Sequence, residues 1–122
     1  MSTLSSATTA TRPRVLIVED DAVQAVDMEF AFEDAGYEVV GPVNTVSGAL
    51  DLIERHRPTM AALDVQLHRE TTVPVAQAMR AAGGRIVFVT AGPREDALDA
   101  VPDAQVMRKP CDPRRVVAAL AN

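Results

Sequence analysis

The chain has 122 residues, 48% of them apolar, and a formal net charge of −5. That length supports one domain around one core, and the acidic balance excludes a basic stripe for direct nucleic-acid contact. A single cysteine excludes an internal disulfide framework and suits a reducing cytoplasmic setting, while no apolar run is long enough to span a membrane or act as a secretory signal.

Residues 1–12 are rich in Ser, Thr and Ala without periodicity and read as a disordered tail before a folded domain over 13–122. Val15-Leu16-Ile17-Val18 follows, a short apolar run of the kind buried on both faces of a parallel sheet. It runs straight into Glu19-Asp20-Asp21, where the chain must leave the sheet because unpaired carboxylates are costly to bury. The acids read equally as a solvated turn capping the next helix or as oxygen ligands for a hard divalent cation. A helix is expected from Asp21 or Ala22 to Ala35, ended by Gly36. Ala25, Met28, Ala31, Phe32 and Ala35 form its sheet-facing side, and Val23, Val26 and Phe30 make a second apolar stripe elsewhere on its surface.

Tyr37–Val40 is the next strand, closed by Gly41-Pro42. Asn44 or Thr45 caps a helix over Val46–Arg57 whose apolar side carries Ala49, Leu50 and Ile53. Met60–Leu63 repeats the opening design, an apolar strand followed at once by an acid, Asp64. Val65–Thr72 reads as a polar loop, and Pro74 suits the first turn of a helix over Val73–Ala82. Arg85–Val89 is a fourth strand ending in Thr90, Pro93–Ala100 a short weak helix, and Ala104–Met107 a fifth strand ending in Arg108-Lys109-Pro110. Asp112-Pro113 opens a last helix with Val116, Val117 and Leu120 inward. Five strands alternating with helices over short connections imply an α/β fold, a doubly wound parallel sheet with right-handed crossovers.

Polar residues then stand at the C-terminal ends of four strands: Glu19 with Asp20, Asp64, Thr90, and Lys109, the only lysine in the chain. In open parallel sheets ligands bind along that edge. Acids there can hold Mg²⁺, an aspartate can attack phosphorus, and a lysine and a hydroxyl can meet phosphoryl oxygens.

Leu16-Ile17-Val18-Glu19-Asp20-Asp21, Leu63-Asp64-Val65-Gln66-Leu67, Val89-Thr90-Ala91 and Lys109-Pro110 together resemble the receiver domain of two-component response regulators over about Arg14 to Ala121. The resemblance implies a flavodoxin-like (βα)5 fold with strand order 2-1-3-4-5. It makes Asp64 the phosphoacceptor. Asp20 and Asp64 are then metal ligands, Glu19 acts through water, and the Gln66 backbone carbonyl completes the protein's share of the Mg²⁺ site. Thr90, Ala91 and Lys109 become the switch and phosphate-binding positions, with Lys109-Pro110 usually cis. Ala35–Pro42, Val73–Ala76 and Val87–Thr90 look like stand-alone alphaproteobacterial receivers marked by a Phe-Ala-Thr-Gly motif, although Ala91 and Pro93 depart from it. Val106 replaces an aromatic of common receivers, so the expected route for the signal moves to Ala91–Asp103.

The implied activity is acceptance of a phosphoryl group from a sensor histidine kinase or histidine phosphotransfer protein, with output through an unknown protein target. No further output domain and no enzyme activity beyond slow self-dephosphorylation are expected. Val23, Val26 and Phe30 are the expected partner-docking residues. Two rival readings use the same residues. An Mg²⁺-dependent aspartyl-phosphate phosphatase would need an acid two residues after the nucleophile, where Gln66 stands. A phosphorylation-independent binding module stays open.

Overall fold

The computed structural model describes residues 12–92 and 99–121. The expected tail over 1–12 lies outside the described residues apart from Arg12, and so do most of the expected helix over Pro93–Ala100 and the middle of the Ala91–Asp103 segment. The strands are β1 (Arg14–Val18), β2 (Glu38–Val43), β3 (Met60–Asp64), β4 (Arg85–Thr90) and β5 (Gln105–Arg108). The described helices are α1 (Ala22–Asp34), α2 (Val46–His56), α3 (Val73–Ala81) and α4 (Pro113–Ala121). The strands form one parallel sheet in the order β2-β1-β3-β4-β5.

Strand alternation divides the core between the two faces. Val15 and Ile17 of β1 join Met28 and Phe32 of α1 and Val116 and Leu120 of α4. Leu16 and Val18 join Ala49 of α2 and Val75, Ala76 and Met79 of α3 on the other side. Asp21 caps α1, its carboxylate accepting the Gln24 N–H at 2.9 Å, and Thr45 caps α2 at the Gly48 N–H.

Four expectations change. The strand from Tyr37 does not stop at Gly41-Pro42: Tyr37 packs edge-on against Phe32 outside the ladder, and β2 runs on to Val43, which pairs with Val18 after a register shift. Gly41 makes this possible, with φ +97 and a position where a Cβ would meet the Ile17 carbonyl at 3.0 Å. Ala35 is exposed because it lies past the last turn of α1, where the chain leaves the sheet. Leu50 is exposed, and Leu52 beside Ile53 fills the apolar side of α2. The loop after Asp64 is not polar throughout: Val65, Leu67 and Thr72 are buried, because it folds back under the sheet edge.

Candidate functional site

Sheet register gathers the site. Val18 pairs with Leu63, so Glu19, one residue on, stands beside Asp64. Asp64 pairs with Val89, and Thr90 pairs with Arg108, which brings Lys109 alongside. The Lys109 N–H donates to the Thr90 carbonyl at 2.8 Å, fixing that turn, and the Lys109-Pro110 peptide is cis.

The side chains of Glu19, Asp64 and Lys109 meet. The ammonium of Lys109 donates to Glu19 Oε1 at 3.1 Å and stands 3.4 Å from Asp64 Oδ2. The carboxylates are largely shielded, with 5% of the Glu19 side chain and 12% of Asp64 exposed. Glu19 Oε2 also accepts the Asp21 N–H at 3.1 Å, so both its oxygens are engaged. Burial, then the neighbouring Glu19 charge, push the Asp64 carboxyl up to about 6, with Lys109 offsetting part of the rise. Burial pulls Lys109 down, but Glu19 and Asp64 outweigh it and leave the ammonium above its ordinary value.

Besides this trio, Asp20, Gln66, Thr90 and Ala91 lie at or just past the ends of β1, β3 and β4. Asp20, next to Glu19 in the chain, is exposed and makes no ion pair among the described residues. Gln66 is exposed, its amide donating to the Leu67 and Glu70 carbonyls at 2.6 and 3.2 Å. Thr90 is buried, its hydroxyl donating to the Gly92 carbonyl at 2.6 Å while accepting the Gly92 N–H at 3.3 Å. Ala91 is exposed beside it. Val23, Val26 and Phe30 are not part of the trio's surroundings; they lie along α1, 70, 46 and 65% exposed. A groove of about 480 Å³ opens by Lys109 between Gln24, Asp27 and Met28 of α1 and Pro113 of α4.

Among the described residues no three acids, histidines or cysteines converge closely enough to cage an ion. The donor set nonetheless suits a hard cation held loosely. It is all oxygen, and burial together with the neighbouring Glu19 charge has already raised the Asp64 carboxyl. Mg²⁺ ordinarily takes one or two carboxylates and completes its shell with waters and phosphate oxygens.

Two contributors were not singled out from the sequence. The Thr72 hydroxyl donates to the Asp64 backbone carbonyl at 2.7 Å, and the Glu70 carboxylate accepts the Val46 N–H at 2.9 Å at the start of α2. Thr72 was legible only as the residue before Val73-Pro74; nothing local pointed to its buried partner.

A family model for the response regulator receiver domain matches residues 15–121. The transcriptional regulatory protein PdtaR of Mycobacterium tuberculosis is 32% identical over 95 residues, which cover 77% of this chain and 46% of that protein. Phyllosphere-induced regulator PhyR of Methylorubrum extorquens is 28% identical over 112 residues, 88% of this chain and 42% of that one. The chain therefore spans less than half the length of these relatives. A CheY-like receiver domain protein of Methanospirillum hungatei superposes with a TM-score of 0.79 at 25% identity, over 91% of this chain and 92% of that one. A receiver protein of Sinorhizobium medicae gives 0.82 over 92% and 94%, at 20% identity, a likeness of fold.

Proposed function

The chain belongs to the response regulator receiver family, and from that premise we propose that it takes a phosphoryl group from a phosphohistidine of a sensor kinase or phosphotransfer protein onto Asp64. The observation that carries the reading is a shielded Asp64 carboxylate beside a unique lysine and a second carboxylate, at the C-terminal edge of a parallel sheet.

A carboxylate oxygen of Asp64 attacks phosphorus. The P–O bond forms as the P–N bond to the partner's imidazole breaks, and the imidazole keeps the bonding pair. At neutral pH a carboxyl with a pKa of about 6 is mostly ionised, so the nucleophile is available. Lys109, held cationic, neutralises charge on the phosphoryl oxygens. The Thr90 hydroxyl exchanges its Gly92 carbonyl for a phosphoryl oxygen. Bound Mg²⁺ supplies further charge neutralisation at those oxygens; Asp20, Asp64 and the Gln66 backbone carbonyl would hold it, with Glu19 acting through water.

Val23, Val26 and Phe30 give the partner an apolar surface on α1. Output passes to a protein target in the cytoplasm, and the chain acts as an acceptor rather than as an enzyme. The Gln66 amide has no acid proton to give a leaving group, which argues against the phosphatase alternative. Incubation with a phosphorylated histidine kinase and Mg²⁺ tests the reading. Acid-labile label should appear on the wild type and be absent from Asp64→Asn; equal label on both would move the acceptor elsewhere. A chain that takes no label and does not respond to beryllofluoride would be a binding module instead.

A further inference from the structure

Thr72 occupies the position that caps α3, and it is fully buried. A threonine there ordinarily turns its hydroxyl oxygen to the first amides of its own helix. Thr72 makes no such bond. Its hydroxyl donates backwards instead, to the carbonyl of Asp64 at 2.7 Å, with the Val65 carbonyl at 3.5 Å. Its backbone N–H donates to that Val65 carbonyl at 3.0 Å.

The peptide unit joining Asp64 to Val65 is thereby tied at both ends. Its N–H points to the Val89 carbonyl of β4 at 3.4 Å, and its carbonyl accepts from Thr72. The preceding unit lies in the β3–β4 ladder. The loop between is braced as well, by the buried Leu67 side chain and by Glu70 at the N-terminus of α2. With its backbone held on both sides, Asp64 keeps only side-chain torsions to adjust.

We propose that Thr72 is a positioning residue for phosphoryl acceptance, its hydroxyl fixing the Asp64–Val65 peptide unit so that the carboxylate meets phosphorus at a set distance and angle. The proposal rests on the assignment of Asp64 as acceptor. Attack in line tolerates little misplacement, and an error on the order of 1 Å can cost ~100-fold in rate. The hydroxyl forgoes its own helix cap to make this contact. A threonine serving only to start α3 would keep the cap.

The test compares the full chain with Thr72→Val, which keeps the shape and loses the hydroxyl, and Thr72→Ser, which keeps the hydroxyl. Phosphoramidate with Mg²⁺ is the donor, labelling is followed by intact mass, and amide spectra are recorded without metal. Thr72→Val should lose about tenfold or more in maximal rate, with the half-saturating donor concentration within about twofold. Its Asp64, Val65 and Gln66 amide signals should move. Thr72→Ser should restore both the rate and the signals. A Thr72→Val protein with the wild-type maximal rate, or a Thr72→Ser protein as slow as the valine variant, would overturn the proposal even if the melting temperature falls. Should Thr72→Val not fold, Thr72→Ser against Thr72→Ala carries the same comparison, and equal rates there overturn it. A wild type that neither phosphoramidate nor a phosphohistidine donor labels contradicts the acceptor assignment and this inference with it; a labelled wild type with an unaffected valine variant contradicts this inference alone.

Discussion

Lys109, on the turn after β5, donates to the carboxylate of Glu19, on the turn after β1, at 3.1 Å. The two strands they follow do not touch; β3 and β4 stand between them. The lysine therefore reaches along the edge of the sheet, passing Asp64 at 3.4 Å on the way. It links both carboxylates, and its own charge is stabilised by the pair.

Removing the lysine should expose how much this link carries. Lys109→Met leaves the Glu19 carboxylate buried without its cation, the situation in which a broken buried pair costs most. We expect a loss of about 3 kcal/mol at neutral pH, the lower end of the range for such pairs, since Glu19 keeps the Asp21 N–H. Urea unfolding of the two proteins measures it. A loss within ~0.5 kcal/mol, as for an exposed pair, would mean that the link is worth little.

Asp64 gives a pH dependence of definite sign. Its carboxyl rises from 3.8 to about 6, so the folded chain binds that proton more tightly than the unfolded chain. Its contribution to stability is fully present below the unfolded value and declines as pH rises through the window from about 4 to about 6. Asp64→Asn has no such proton to lose. In metal-free buffer the variant and the wild type should be nearly equal at pH 4, and the variant should be about 2–3 kcal/mol more stable at pH 7.5. A constant difference across that range would show that Asp64 titrates as an ordinary carboxyl.

The two phenylalanines of α1 should behave in opposite ways. Phe32 is fully buried against Tyr37 and the sheet, so Phe32→Ala should cost about 3–5 kcal/mol. Phe30 is 65% exposed, and Phe30→Ala should leave the melting temperature nearly unchanged. It should slow phosphotransfer from the kinase while leaving labelling by phosphoramidate intact, because only the former needs docking. Equal slowing with both donors would remove Phe30 from the docking surface.

Glu70 braces the loop below Asp64 by capping α2 from outside that helix. Glu70→Ala should cost about 1 kcal/mol, the usual worth of a lost cap. Hydrogen exchange should quicken at Val46, whose N–H loses its acceptor. Unchanged protection there would show that the cap is not formed in solution.

The fold was legible because its signals are local and repeated. Val15–Val18 and Met60–Leu63 are apolar runs followed by acids, which puts Glu19 and Asp64 at one sheet edge, and the polar residues after the next two strands put Thr90 and Lys109 there too; the ion pairs among them come from the register. What escaped was set by backbone contacts between distant segments. The continuation of β2 to Val43 depends on Gly41 approaching Ile17, which no property of Gly41-Pro42 announces. Leu50 and Leu52 are both apolar, and it is the tertiary packing of α2, not their chemistry, that sets Leu52 against the core and leaves Leu50 exposed. Thr72 looked like one more polar loop residue because its partner is a carbonyl, invisible in sequence.

The measurement that bears most directly on the account is the location of the phosphoryl group after transfer from a phosphohistidine donor with Mg²⁺. Borohydride reduction converts an aspartyl phosphate to homoserine, and peptide mass mapping then marks the residue. The account predicts homoserine at position 64 in the wild type and none in Asp64→Asn. Homoserine at position 20 or 21, or an unmodified peptide spanning residue 64 in a fully labelled protein, would contradict it.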